Sequence, residues 1–157
     1  MNTKKYGLLL CSFFFFLSSF AFAQTAREMD AMLASDTVSA AAAARFVLGA
    51  ADLLPPGLSG QGAERTAYNM AESNGWVNAS ADDEITMKDA AFLIMKAFDL
   101  KGGAMYTLLK NPRYAYREMV YRKLIRGRMD QAVKVSGPEL LLILDKTMKH
   151  TEQKGGH

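Results

Sequence analysis

Three stretches of the chain are apolar on nearly every side, and a polar loop precedes each of them. They cover residues 39–54, 86–100 and 136–149. A helix that is apolar almost all round is buried on most sides, unlike a surface helix with one polar face. We therefore predict that these three helices pack together at the centre of an all-α protein. No segment alternates apolar and polar residues for long enough to predict a strand.

The three apolar helices share one opening pattern, a β-branched aliphatic residue followed by a hydroxyl residue. The pairs are Val38-Ser39, Ile85-Thr86 and Val135-Ser136. A hydroxyl in this position can accept a hydrogen bond from an amide of the first helical turn. Thr86 with Asp89, and Ser136 with Glu139, also fit a capping box. Ser39, Thr86 and Ser136 are accordingly predicted to be helix caps.

More amphipathic helices are predicted between the apolar ones, over residues 25–34, 63–74 and 112–126, with a short helical turn over 103–110. Gly75 and Gly127 are predicted to end the second and third of them, because glycine favours the left-handed residue after a helix. The apolar openings recur at intervals of 47 and 50 residues. This spacing predicts three helix–loop–helix repeats. Their approximate ranges are 25–54, 62–100 and 112–149.

The amino-terminal segment predicts export. Two lysines precede an apolar run over residues 6–22, and small residues stand at the positions that a signal peptidase reads. Residues 1–23 are therefore predicted to be a secretory signal peptide cut before Gln24, with a membrane anchor as the alternative. We expect an exported protein, periplasmic or associated with the cell envelope. Residues 24–150 would form the helical domain, and 151–157 a polar tail.

Composition and charge change this picture in one respect. The 157 residues are 50% hydrophobic and 22% charged, which excludes a disordered chain. Without residues 1–23, 17 basic residues face 16 acidic ones, so nothing points to nucleic acid as a partner. Residues 110–134, however, carry eight basic residues against Glu118 and Asp130. They form either a solvated, internally complemented surface or a cationic patch for an anionic envelope polymer or lipid headgroup.

No catalytic or metal-binding pattern is present in the sequence. Both histidines, His150 and His157, lie near the carboxyl terminus, and Cys11 lies in the predicted signal peptide. No serine or cysteine nucleophile has a histidine partner elsewhere, and no glycine-rich phosphate loop occurs. We predict a protein that is not an enzyme, with no cofactor and no metal.

The repeated segments resemble the S-layer homology repeat. The match is best where Gly75-Trp76-Val77 and a polar loop lead into Ile85-Thr86-Met87-Lys88-Asp89-Ala90. Leu124-Ile125-Arg126-Gly127, with Val135-Ser136-Gly137-Pro138-Glu139, matches next, and the first copy keeps Val38-Ser39. The resemblance implies a pseudo-threefold bundle, in which shorter helices surround three central ones. It also implies noncovalent attachment to a cell-wall glycopolymer or to peptidoglycan.

Candidate ligand residues follow from this resemblance and from the basic cluster. The family's helix-opening motif carries an arginine where this chain has Ala40, Met87 and Gly137. The candidates for a ligand site in the grooves between repeats are therefore other residues, namely Trp76, Lys88, Arg126 and Arg128. Trp76 could instead cover an edge of the core, and the two arginines could be solvated charges at a helix end.

Two functions remain open at this point. The first is a non-enzymatic envelope module that binds a cell-wall glycopolymer or peptidoglycan. The alternative is a secreted or periplasmic protein-interaction or assembly subunit with the same fold and no glycan binding. The expected partner is a cell-wall polymer or an envelope protein, with membrane contact only through an uncleaved signal peptide.

Overall fold

Helices make up the architecture of the described chain. The structure is a computed structural model, and it describes residues 26–127 and 130–155. Its helices are α1 (26–33), α2 (Ala40–Ala50), α3 (Gly60–Ser73), α4 (Met87–Ala97), α5 (Ala104–Leu109), α6 (Pro112–Tyr121) and α7 (Gly137–Gly155). Two isolated β-bridges are the sole extended pairings in these ranges, so the prediction of an all-α protein is confirmed. The predicted signal peptide lies outside them. None of the helices described has both the length and the apolar character needed to span a membrane.

Val38, Ile85 and Val135 are joined by a closed cycle of three backbone hydrogen bonds. The amide of Val38 donates to the carbonyl oxygen of Val135 at 2.9 Å. The amide of Ile85 donates to Val38 at 2.9 Å, and that of Val135 to Ile85 at 3.1 Å. All three side chains are buried. This cycle, which we call the valine–isoleucine cycle, fixes the relative positions of the starts of α2, α4 and α7.

The first amides of α2, α4 and α7 donate to carbonyl oxygens of other segments. Amides of a first helical turn have no acceptor within their own helix. Here the pairs are Ala40 with Asp83 at 2.8 Å, Met87 with Val133 at 2.9 Å, and Gly137 with Ser35 at 2.9 Å. The start of each of these three helices is therefore tied to backbone that lies just before another of the three openings.

Of the predicted side-chain caps on α2 and α4, the first forms and the second does not. The hydroxyl oxygen of Ser39 accepts a hydrogen bond from the amide of Ala42 at 3.2 Å, as predicted. Thr86 stands at the corresponding place before α4, but its hydroxyl donates to the Asp89 carboxylate and caps no amide. The predicted cap by the Thr86 side chain is therefore wrong. Backbone carbonyls of the neighbouring loop already accept the first amides of α4.

Ser136 and Glu139 interact at the start of α7. The Glu139 carboxyl accepts a hydrogen bond from the Ser136 amide, which is one half of a capping box. Burial raises the pKa of Glu139 above its ordinary value, although this hydrogen bond opposes the shift. At the other end, α7 continues past the predicted end of the third repeat, so residues 151–155 of the predicted polar tail are its last turns.

The core is built where α2, α4, α6 and α7 bury their apolar residues. α2 packs mainly against α3, and α4 mainly against α6, while α2 also contacts α4 and α7. Large side chains on α2, α4, α6 and α7 are completely or almost completely buried. They include Leu48, Met87, Leu93, Ile94, Met95, Met119 and Leu140. This arrangement leaves the outer faces of α3 and α6 to solvent.

α3 and α6 end in the same backbone conformation. Gly75 after α3 has φ 67°, and Lys123 after α6 has φ 61°. The amide of the following residue then donates to a carbonyl oxygen of the helix: Trp76 to Ala71 at 2.8 Å, and Leu124 to Met119 at 2.9 Å. The prediction that Gly127 ends the third outer helix is wrong, because α6 ends at Tyr121 and Lys123 takes the left-handed position.

We expect Gly75→Lys and Lys123→Gly to have opposite effects on stability. A left-handed conformation costs a non-glycine residue about 1–2 kcal/mol. Gly75→Lys should therefore lower the free energy of unfolding by about 1 kcal/mol, and Lys123→Gly should raise it by a smaller amount, on the order of 0.5 kcal/mol. Urea denaturation followed by circular dichroism measures both. A change of the same sign in both variants would contradict the shared conformation.

Gly137→Ala should destabilise the protein. A Cβ at this position would lie 1.6 Å from the carbonyl oxygen of Met32. The end of α1 would have to move away from α7, at a cost of about 1–3 kcal/mol. Gly62→Ala is the matched control, because nothing lies within 4 Å of its Cβ. Thermal unfolding should show a lower Tm for Gly137→Ala alone, and an equal Tm in both variants would refute the close contact.

Candidate functional site

An open groove runs along the outer face of α6. It has a volume of about 740 Å³, and we call it the α6 groove. Its lining residues are Arg113, Tyr116, Arg117, Val120, Tyr121, Asp130 and Gln131. One wall is α6 itself, and the other is the loop that leads to α7.

The local sequence of α6 explains which side chains reach this groove. The Asn111 side chain accepts a hydrogen bond from the Tyr114 amide at 3.2 Å, and Pro112 occupies the first turn. This start directs Ala115, Tyr116 and Met119 into the core. Exposed side chains then recur every four residues on the opposite face, at Arg113, Arg117 and Tyr121.

The loop wall of the groove is held by backbone contacts. The amide of Ala132 donates to the Asp130 carboxylate at 3.0 Å, and the amide of Val133 donates to the Asp130 carbonyl at 3.1 Å. The carbonyl of Gln131 accepts a hydrogen bond from the Lys88 amide at 3.0 Å. The groove therefore has a preformed edge that depends on the start of α4.

The α6 groove carries a net positive charge. Two guanidinium groups and one carboxylate line it. Among the residues that the structure describes, neither Arg113 nor Arg117 forms an ion pair. The guanidinium of Arg117 lies 5.9 Å from the centre of the Tyr114 ring, a cation–π distance that leaves its N–H groups available. Arginine can donate two parallel hydrogen bonds to a carboxylate or phosphate.

Tyr121 is the second notable feature of this groove. Its side chain is 83% exposed, the most exposed of the large hydrophobic residues described. Tyr116, which lies in the same groove, is 8% exposed and belongs to the core. A rigid aromatic ring that has no packing role offers a flat apolar face with a polar tip. Such a surface suits the C–H face of a sugar ring.

The corresponding groove on α3 has different chemistry. It has a volume of about 650 Å³, and its charged residues are Arg65, Glu64 and Asp82. Tyr68 lies in this groove and donates hydrogen bonds to the Ala79 carbonyl at 2.9 Å and to Glu72 at 3.0 Å. Burial, with the Glu72 hydrogen bond, raises the pKa of Tyr68. This groove has a net negative charge and no exposed ring.

The α6 groove is not lined by Trp76, Lys88 or Arg126. Trp76 is partly buried and packs against the core, which agrees with its alternative role as a cover over the core edge. The Lys88 amide holds the loop wall of the groove through the Gln131 carbonyl, but Lys88 does not line the groove. Arg126 is exposed and lies outside the lining of the groove, and Arg128 falls outside the described residues.

Sequence reasoning missed the residues that do come together. In the sequence alone, nothing distinguishes Arg113 and Arg117 from ordinary surface charges, or Tyr121 from a tyrosine that packs between helices. The spacing of Arg113, Arg117 and Tyr121 at i, i+4 and i+8 was the available signal, because it places them on one helix face. The apolar residues Tyr116, Val120 and Leu124 recur with the same spacing and indicate a different, apolar face of this segment.

Within the described ranges, no group of three or more histidine, cysteine, aspartate or glutamate residues could hold a metal ion. Comparison with family models, curated proteins and solved structures finds no match to the chain. Any role for the α6 groove is accordingly inferred from its own residues.

Tyr121→Ser and Tyr116→Ser should differ strongly in stability. Tyr121 is solvated, so its loss should change the free energy of unfolding by less than about 0.5 kcal/mol. Loss of the buried Tyr116 ring should cost about 3 kcal/mol. Chemical denaturation of the two variants measures this contrast. A large destabilisation by Tyr121→Ser would show that the ring supports the fold and is not available to a ligand.

Proposed function

We propose that this protein is a non-enzymatic module of the cell envelope that binds an anionic cell-wall polymer in the α6 groove. The single observation that supports this most is the exposed Tyr121 ring, which shares one groove with two arginines that have no described ion-pair partner. A sugar ring would stack on Tyr121, and a carboxylate or phosphate of the polymer would bind Arg113 and Arg117.

We further propose that the chain consists of three helix–loop–helix repeats around an approximate threefold axis, as in the S-layer homology repeat that it resembles. The valine–isoleucine cycle supports this arrangement, because each of its members donates to one neighbour and accepts from the other. The equal backbone conformation after α3 and α6 also supports it. Export through residues 1–23 would bring this module to the envelope.

The ligand site proposed here differs from the one that the resemblance implies. Ala40 and Met87, which replace the family's motif arginine, have no exposed surface, and Gly137 is buried. These three positions therefore offer no side chain to a ligand. Arg113 and Arg117 on α6 would supply the positive charge from a different element.

The alternative function is a protein-interaction or assembly subunit that has the fold but does not bind glycan. The burial of Ala40, Met87 and Gly137 favours it as well, because it removes the family's ligand contact from all three openings. The two functions make different predictions for purified polymer. A subunit of this kind would co-purify with a protein partner and would not sediment with sacculi.

Sedimentation with purified peptidoglycan sacculi tests the proposed function. Wild-type protein should sediment with sacculi at low salt and be released as ionic strength rises. The double variant Arg113→Gln/Arg117→Gln should bind at least about tenfold more weakly, because two charge-assisted contacts are lost. Tyr121→Ser should bind several-fold more weakly. Sacculi treated with hydrofluoric acid show whether phosphodiester-linked polymers provide the negative charge.

Arg65→Gln is the matched control for the arginine variants. Arg65 is also exposed and lies 48 residues before Arg113, but its groove carries two acidic residues. This variant should bind sacculi as the wild type does. Failure of wild-type protein to bind at low salt, or equal loss in Arg65→Gln and in the double variant, would overturn the proposed groove.

A further inference from the structure

The short helix α5 presents apolar side chains to solvent. Met105, Leu108 and Leu109 are 52%, 78% and 47% exposed, and their spacing at i, i+3 and i+4 places them on one face. We call these three residues the α5 patch. Single exposed apolar residues are common on protein surfaces, but three on one helical turn form a coherent protruding face.

α5 is held firmly in this orientation. Tyr106, on the opposite face, is 7% exposed and belongs to the core. The Gly103 amide before the helix donates to the Glu118 carboxylate of α6 at 3.0 Å. The Tyr106 ring also lies so close to Gly102 that a Cβ there would be 2.3 Å from it. The packing of α5 therefore keeps the α5 patch exposed to solvent.

Positive charge surrounds the α5 patch. Lys96, Lys101 and Lys110 line a cleft of about 380 Å³ on one side of α5, together with one acid, Asp99. Met105 and Arg117 line a smaller cleft on the other side, of about 270 Å³. The acid in that cleft, Glu118, is bound to Arg122 at 2.8 Å. The two clefts beside α5 thus both contain cations.

This combination matches the chemistry of an anionic bilayer surface. Helices that lie at a membrane interface insert apolar side chains between the headgroups, and lysines around them contact the negative lipids. Lysine stems can also lie along apolar surface while their ammonium groups stay in water. Stable protein interfaces, by contrast, are depleted in lysine and bury about 800 Å² on each partner. Three apolar side chains on one turn are too few for such an interface.

We propose that the α5 patch and the lysines around it dock the folded protein on the surface of an anionic lipid bilayer. This proposal departs from the sequence-based expectation that membrane contact occurs only through an uncleaved signal peptide. It rests on α5 and not on the α6 groove, so it can be tested without polymer. Arg117 lines a cleft at each of the two surfaces, so the vesicle test substitutes other residues.

Vesicle sedimentation tests the proposal. The probes are vesicles of phosphatidylglycerol and phosphatidylcholine in equal amounts, and vesicles of phosphatidylcholine alone. The protein is used as it is recovered from expressing cells, and mass spectrometry confirms that all variants share one amino terminus. Wild-type protein should bind the mixed vesicles, bind the neutral ones at least about tenfold more weakly, and lose binding as salt rises.

Substitutions separate the apolar and the ionic contributions. Leu108→Ser should weaken binding to the mixed vesicles about tenfold or more. Lys101→Gln and Lys110→Gln should each weaken it about fivefold. Leu142→Ser is the matched control, because Leu142 is a 41% exposed leucine on α7. Leu142→Ser and Tyr121→Ser should both bind vesicles as the wild type does.

Three results would overturn the proposal. The first is equal binding of wild-type protein and Leu108→Ser to the mixed vesicles. The second is equal binding of wild-type protein to neutral and anionic vesicles. The third is a dimer in analytical ultracentrifugation that Leu108→Ser abolishes while vesicle binding is absent, which would assign the α5 patch to a second copy of the chain. If the protein binds vesicles but not sacculi, the proposed polymer binding in the α6 groove is wrong, and the proposed docking through the α5 patch is not affected.

Discussion

The first amides of α2, α4 and α7 have no acceptors in their own helices, and the protein supplies those acceptors from distant backbone. Each of these helices begins beside the opening of another one, and the valine–isoleucine cycle closes these contacts into a ring. An amide buried without an acceptor would cost about 1–3 kcal/mol. The three starts therefore stabilise one another, and the loss of one segment removes acceptors from its neighbour. Residues that are neighbours along the chain do not supply these acceptors, because the hydrogen-bonded residues lie far apart in sequence.

The same contacts shape the surface where we propose that polymer binds. The amides at the start of α4 hold the loop at residues 131–133, and this loop forms one wall of the α6 groove. At the start of α2, the amide of Ala41 likewise donates to the carbonyl of Ala81, which lines the α3 groove. The backbone thus produces two similar grooves, and side chains decide their charge. Arg113 and Arg117 make one cationic, while Glu64 and Asp82 make the other anionic.

Much of the helical framework could be predicted because its signals are local. A β-branched residue, a hydroxyl residue and an apolar run mark the starts of α2, α4 and α7 within one residue. Two of the local predictions, the Thr86 cap and the helix end at Gly127, are wrong. The Thr86 side chain caps no amide of α4, whose first amides donate to the carbonyls of residues 131 and 133. Gly127 does not end α6, because Lys123 already takes the left-handed position. The candidate site could not be assembled in advance, since the loop wall that completes the α6 groove is positioned through these nonlocal bonds.

Arg117 links the two proposed surfaces. It lines the α6 groove, and it also lines the smaller cleft beside Met105 at the edge of the α5 patch. The packing of α5 on α6 makes the two surfaces neighbours on one side of the protein. If the protein docks through α5 on a bilayer, as we propose, the α6 groove would be held close to the headgroups, where anionic lipid would compete with polymer for Arg117. Occupation of one surface would then weaken the other electrostatically, and this coupling is reciprocal by thermodynamic necessity.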